Sequence, residues 1–485
     1  MNKQNLKKQK IIPGFIFSGL LVSLLLTTSG SSQAMTLDQY LLQVKQKNKL
    51  FQSIDASREA SENRNAQADL DFSPVLTALA QTQDDKSLQT LGTVVVNRAQ
   101  TRQYSLGLGK KFSTGTTASV TASVQSLKSD YNIGAASGSS ENHTGTMAFS
   151  LSQSLWKDFF GEATRLRWRR EQSQKSLEQV GLQLQQQQAL IAAEATFWDL
   201  FTLQQELVIR KEGLERAQKI EGWVHRRFDN GIGEKSDLLN AKGLVAAREL
   251  ELLSAHDDLT AAEKKFLDQM EIDTQNIPPL EAQLDKPRED LLKSINKPIK
   301  LDSYMSVLEA QIKSTVALEV KDQMKPDLSL RGSYKTNGYQ DTDSAALQHM
   351  QDRDYPVTAV GVQLTWLLDW DMKSAVQNTV QKDALAAELK KQRQFLESET
   401  AWTELVRRHQ ELGKKIKAAN LISDIQTSKA AAERERLSKG RTITSQVITA
   451  EQDAAEAQLR LTKLKAEQRK LETQTKMFIN YEGSI

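Results

Sequence analysis

The chain has 485 residues, a formal net charge of +3, only 8 prolines and no cysteine. The lack of cysteine excludes a disulfide framework and any lipid attached through a thiol. Scarce proline, few aromatics and abundant Gln, Lys, Glu, Ala and Leu argue against a row of compact domains and for long helices.

The N-terminus has the layout of a cleavable secretory signal over residues 1–34. Lys3, Lys7, Lys8 and Lys10 form a positive start, Phe15 to Leu26 an apolar core, and Ser32-Gln33-Ala34 a small-residue cleavage site. A dozen apolar residues fall short of the ~20 that span a membrane. Cleavage removes four lysines and no acid, so 60 of the 64 basic residues face 61 acidic ones and the mature chain is near −1. Lys and Arg are spread evenly, without the clustered face a nucleic-acid binder needs.

Residues 37–69 read as polar helix. Pro74 opens the alternating run "PVLTALAQTQ", and "RQYSLGLGKKF", "TTASVTASVQS" and "TMAFSLSQSLW" continue strand-like up to residue 157. The stretches "DDKSLQTLGT" and "SDYNIGAASGSSENHTGT" read as surface loops. A long helix is predicted over 161–228, with Leu177, Leu184, Ile191 and Trp198 seven apart, as in coiled-coil packing. After a corner at Gly231, a return helix is expected over 235–275, then a linker over 276–300. Helix resumes at Leu301, and strands follow at 326–335 and 356–367. A second long helix covers 370–438, a corner falls at Gly440, and a return helix covers 445–480.

The two halves match. Offset by 209 residues, "RRFDNGIGEKSDLLNA" aligns with "ERLSKGRTITSQVITA", pairing Arg227 with Arg436, Phe228 with Leu437 and Gly231 with Gly440. Pro74 and Pro326 are 252 apart, so the first half holds about 43 extra residues, placed in an inserted hairpin at about 103–127. The fold class is therefore mostly α with a β-barrel part: a duplicated helix–strand–strand–helix–turn–helix unit, with repeats at 35–275 and 301–485. So few strands cannot close a membrane barrel alone, and exposed edges call for pairing with other copies. After the signal, no apolar run is long enough for a membrane helix, which leaves a shared β-barrel as the way to enter a membrane.

The duplicated unit, "TLDQYLL" after the signal, the strands opened by Pro74 and Pro326, and an Arg-x-x-x-Gly corner in each half (Arg227/Gly231, Arg436/Gly440) carry a resemblance. Over nearly the whole mature chain the sequence resembles outer-membrane efflux proteins of the TolC family. The resemblance implies a homotrimer in the cell outer membrane, with a 12-stranded barrel above a periplasmic α-helical tunnel of coiled-coil helices. It implies passive conduction of substrates handed over by a periplasmic adaptor and an inner-membrane pump or ABC transporter, in efflux or type I secretion. Outer-membrane lipid is a further partner; nucleic acid is not.

It also implies roles for residues. The corners are expected to be periplasmic tips that touch the adaptor through Arg227, Phe228, Gly231, Ile232, Arg436, Leu437, Gly440 and Arg441. Relatives close the tunnel with acids, a tyrosine and an arginine at these tips. Here the matching gate candidates are Asp237, Gln446 and Thr449, with Leu437 where a tyrosine might be, so the familiar acidic gate is absent or weaker. Trp156, Phe159, Phe160, Trp366 and Trp370, at strand-to-helix junctions, are candidates for a membrane-interface aromatic girdle. No enzyme is expected: His143, His225, His256, His349 and His409 are scattered, and no nucleophile elbow or phosphate loop occurs, so no metal or cofactor is called for. The other reading is a structural coiled-coil or trimeric adhesin-like envelope protein.

Overall fold

The computed structural model describes residues 34–481, apart from 274–276, 278, 283, 285–287, 289–291, 293–294 and 353–354. Residues 1–33 of the signal expected over 1–34, and parts of the linker expected over 276–300, lie outside the described residues.

The described chain opens with β1 (Met35–Thr36) and α1 (Leu37–Lys47), whose capping box pairs Thr36 with Gln39. Asn48 then caps α2 (Lys49–Asp69), its side chain accepting from the Leu50 N–H at 2.8 Å. Five strands follow: β2 (Val75–Asp85), β3 (Gln89–Leu91), β4 (Val94–Lys111), β5 (Thr116–Ile133) and β6 (Ala136–Ser154). The helical part of the first half is α3 (Glu162–Asp229) and α4 (Lys235–Met270). Short strands β7 (Leu280–Glu281) and β8 (Pro298–Lys300) precede α5 (Leu301–Gln323). The second half adds β9 (Asp327–Gln340), α6 (Asp343–His349), β10 (Val357–Thr365), α7 (Trp370–Ser438), α8 (Thr444–Thr473) and β11 (Phe478–Asn480).

The inserted hairpin is part of the same sheet as the other strands. The sheet runs β10-β9-β6-β5-β4-β2, antiparallel throughout, with β3 paired to the end of β4. Both strands of the insertion are longer than the 103–127 read from the sequence. The stretch "SDYNIGAASGSSENHTGT" is not a loop: β5 and β6 stay in register up to Ile133↔Ala136, leaving Gly134-Ala135 as the turn. Backbone ladder bonds hold this end, where Leu127, Tyr131 and Ile133 of β5 face only small or polar residues of β6.

The two return helices are shorter than read. Chain α4 stops at Met270, where Glu271 turns left-handed (φ 51°), rather than at 275. Helix α8 gives way after Thr473 to a 3-10 turn and β11, which pairs with β8 from Phe478↔Lys300. The apolar core lies where α1, α3 and α4 meet: Tyr40 stacks on Phe266 (4.2 Å between centroids) and both lie beside the fully buried Phe197. Helix α5 packs against α3 and α7, and α3 against α8, so the two halves share one bundle. No described helix is long and apolar enough to cross a membrane.

Candidate functional site

The sheet has two unlike faces. Register places Leu76, Leu108, Val120, Phe149 and Tyr334 in one row, with Ala78, Leu106, Ala122 and Met147 in the next. Toward the β10 edge the apolar set shifts down the strands to Leu330, Val362, Leu328 and Leu364. Most of these large side chains are exposed, Val360 at 76% and Leu76 at 67%. An apolar expanse of this kind calls for a partner or lipid. The opposite face carries Gly107, Gly109, Ser119, Thr121, Ser150, Ser152, Ser329 and Ser333. Both outermost strands, β2 and β10, are exposed along essentially their whole length and have no second neighbour.

At its far end the apolar face is covered by α6. Gly145 and Gly338, paired across β6 and β9, provide the bed: a Cβ at Gly145 would run into the Ala346 carbonyl, and one at Gly338 into the His349 backbone. His143 Nδ1 meets Asp343 at 2.6 Å and the Thr336 hydroxyl donates to the Met350 carbonyl at 2.6 Å.

The sheet joins the helices through a strained elbow. Asp158 and Phe160 adopt positive φ (55° and 44°), uncommon for residues with side chains. Compensation comes from hydrogen bonds: the Asp158 carboxylate accepts from the Thr164 N–H (2.9 Å) and hydroxyl (2.7 Å), and its N–H donates to buried Asp322. Trp156, Phe159, Phe160, Trp366 and Trp370 are all exposed around this level. Trp366 and Trp370 meet edge to face at 5.1 Å, with the buried Lys373 ammonium about 5.5 Å from both rings.

At the opposite end of the helices the two corners are built alike. Gly231 (φ 72°) donates to the Phe228 carbonyl and Ile232 to that of Arg227; Gly440 (φ 69°) donates to Leu437 and Arg441 to Arg436. This is the Schellman ending, which requires a left-handed residue after the helix. In both corners the arginine side chain then donates to the carbonyl just past the glycine: Arg227 to Ile232 at 3.2 Å, Arg436 to Arg441 at 3.4 Å. Arg227 also lies over the Trp223 ring at 4.9 Å.

No sequence-family model matches the chain, and no curated protein is found similar to it in sequence. Solved structures are similar in fold. They include the outer membrane protein VceC from Vibrio cholerae, 14% identical, with 90% of this chain and 94% of that one covered and a TM-score of 0.63. The CmeC outer membrane channel of Campylobacter jejuni is 13% identical, with coverage of 91% and 85% and a TM-score of 0.59. The MtrE outer membrane channel of Neisseria gonorrhoeae, in its open state, is 13% identical, with coverage of 91% and 88% and a TM-score of 0.60. The chain has the outer-membrane channel fold.

Within the channel fold, the residues singled out at the corners divide into two groups. Arg227, Phe228, Gly231, Ile232, Arg436, Gly440 and Arg441 are at least partly exposed at the ends of the two helix pairs. Leu437 is not a surface contact. It is 3% exposed and packs with Ala217, Ile220, Val224, Leu238 and Val447, joining the two corners into one apolar cluster. Ile443, 60% exposed, presents the apolar surface there instead; one residue beyond a turn, it carried no periodic signal. Asp237 sits in the first turn of α4, where a carboxylate favours the helix dipole. The Gln446 side-chain amide lies 2.7 Å from the Thr442 hydroxyl and Thr449 bonds back to Ser445, so both are tied within their own turn.

The charge network near the tips was missed by sequence reasoning. Buried Glu451 on α8 binds Arg216 on α3 (3.0 Å) and Arg434 on α7 (2.9 Å). Three different helices supply it, Arg216 lying 235 residues from Glu451, and no spacing along one of them reveals it. Glu433 holds the second corner, accepting from Thr442 and Arg436 at 2.8 Å each; these bonds, the Thr442 hydroxyl first, lower its carboxyl pKa. Among the described residues no His, Asp or Glu cluster could hold a metal ion.

Proposed function

We propose that the chain is a subunit of a TolC-family exit duct: a homotrimer in the outer membrane that passively conducts substrates received from a periplasmic adaptor and an inner-membrane transporter. One observation carries the reading. A single sheet has an exposed apolar face, a polar face and two unpaired exposed edges. Lipid satisfies the first, a water-filled lumen the second, and other copies of the chain the edges. Strand β2 runs away from the helices and β10 toward them, so β10 of one copy meets β2 of the next in antiparallel order.

The resemblance in sequence implied twelve strands. Three copies of a six-strand path would make eighteen, because the insertion belongs to the same sheet. The helical part would extend into the periplasm, with the two corners of each subunit as adaptor-facing tips. Phe228, Ile232 and Ile443 offer the apolar contacts, with Arg227, Arg436 and Arg441 around them. Asp237 is the remaining candidate for a gate carboxylate. The aromatic residues at the elbow would mark the periplasmic boundary of the outer membrane. Purified protein should migrate as a trimer in detergent and give stepwise conductance in planar bilayers. A monomer without conductance in any condition would end this reading.

A further inference from the structure

The polar face of the sheet holds few charges, and they are unevenly placed. Asp85 and Asp327 lie at the strand ends. Lys111 shares a recess at the elbow with Asp71 and Glu171. The middle of the face holds only Arg331 and Lys335, both exposed. Arg331 is opposite Ser152 on one side and Gly361 on the other; Lys335 is opposite Ala148 and Val357. Ser333 lies between them, opposite Ser150 and Ala359. The other face treats its cations differently. There Arg98 binds Asp84 at 2.7 Å and Arg102 binds Glu141 at 3.1 Å. No ion pair or hydrogen bond holds Arg331 or Lys335 among the described residues. Asp327 is four residues down the same strand from Arg331, roughly 13 Å away.

We propose that Arg331 and Lys335 make the sheet-lined part of the duct selective for anionic solutes, such as those carrying carboxylate, sulfonate or phosphate groups. The inference rests on the reading that the polar face lines a pore. In three copies, six fixed positive charges ring the lumen without a nearby acid among the described residues. Low-dielectric walls focus such a field, and the charges act within the ~8–10 Å over which salt screens them. Rings of Arg and Lys are the usual basis of anion preference in pores.

The chain contains no cysteine, so Ser333→Cys introduces a single thiol between the two cations. In intact cells this thiol is treated with an anionic and with a cationic methanethiosulfonate, the rates being normalised to those of a free thiol. The anionic reagent should react several-fold faster. The ratio should approach one in Arg331→Gln/Lys335→Gln and invert in Arg331→Glu/Lys335→Glu, with the detergent-stable oligomer retained as a check on folding. A ratio that starts near one, or that ignores the charge changes, overturns anion selectivity and leaves the duct intact. A thiol unreactive toward both reagents overturns the lumenal assignment, and with it the duct reading.

Discussion

Arginine and glycine act together at each corner. The glycine supplies the left-handed turn that ends the helix, and the arginine four residues earlier reaches forward to the first carbonyl beyond it. The spacing Arg-x-x-x-Gly was legible in the sequence; its reason was not, because the bond runs from side chain to backbone. No neighbouring atom would crowd a Cβ at Gly231 or Gly440, so the cost of alanine there is conformational alone. Left-handed backbone costs an L-residue about 1–2 kcal/mol. Gly231→Ala and Gly440→Ala should therefore accelerate amide hydrogen exchange in their own corner by roughly five-fold or more. Exchange elsewhere in the bundle should be unchanged, and Asn should cost less than Ala. Unaltered exchange at both corners would contradict the argument.

At the scale of the element, the long helices were readable from seven-residue spacing and the lack of proline. The outer half of the hairpin was not, since polar and small residues interrupt the few apolar ones, among them Leu127, Tyr131 and Ile133. Leu437 shows the same limit: the repeat placed it at a corner, yet only packing between the two halves shows that it is buried. Charge patterning along α7 also has a measurable consequence. Glu404 accepts from Arg407 through two 2.7 Å bonds and from Arg408 through another. These bonds, those of Arg407 first, bring its carboxyl from 4.5 down to about 2. A lowered folded-state pKa means that the helix support is complete above about 4.5 and is lost as pH falls through about 2. The pair lies at the surface in contact with solvent, so salt should weaken it. A side-chain titration of Glu404 by carbon NMR should find its midpoint well below 4, and Glu404→Gln should remove that pH dependence from local helix exchange. A midpoint at 4.5 would show that the bonds do not persist in solution.

For the whole molecule, the insertion sets the width of the proposed pore. Removing residues 86–132 leaves β2 ending beside the start of β6, with Ile133-Gly134-Ala135 available as a turn. The two strands run in opposite directions and can pair directly. Three shortened copies would then close with twelve strands. Barrel diameter grows about linearly with strand number, so the cross-section should fall to roughly half. Single-channel conductance in planar bilayers should fall with it while the oligomer persists. Equal conductance would mean that the sheet is not the part of the path that limits flow.

The clamped elbow at Asp158–Gly161 can also be seen as the fulcrum of a lever. Helix α3 has 68 residues, hence an arm of roughly 100 Å. An angular play of only ~5° at the pivot would swing its free end by roughly 9 Å on that arm. Left-handed Asp158, pinned by Thr164 and Asp322, and left-handed Phe160, whose carbonyl accepts from Arg165, suppress such play at its source. Loosening the pivot with Thr164→Ala should therefore blur the far end of the molecule more than the neighbourhood of the mutation.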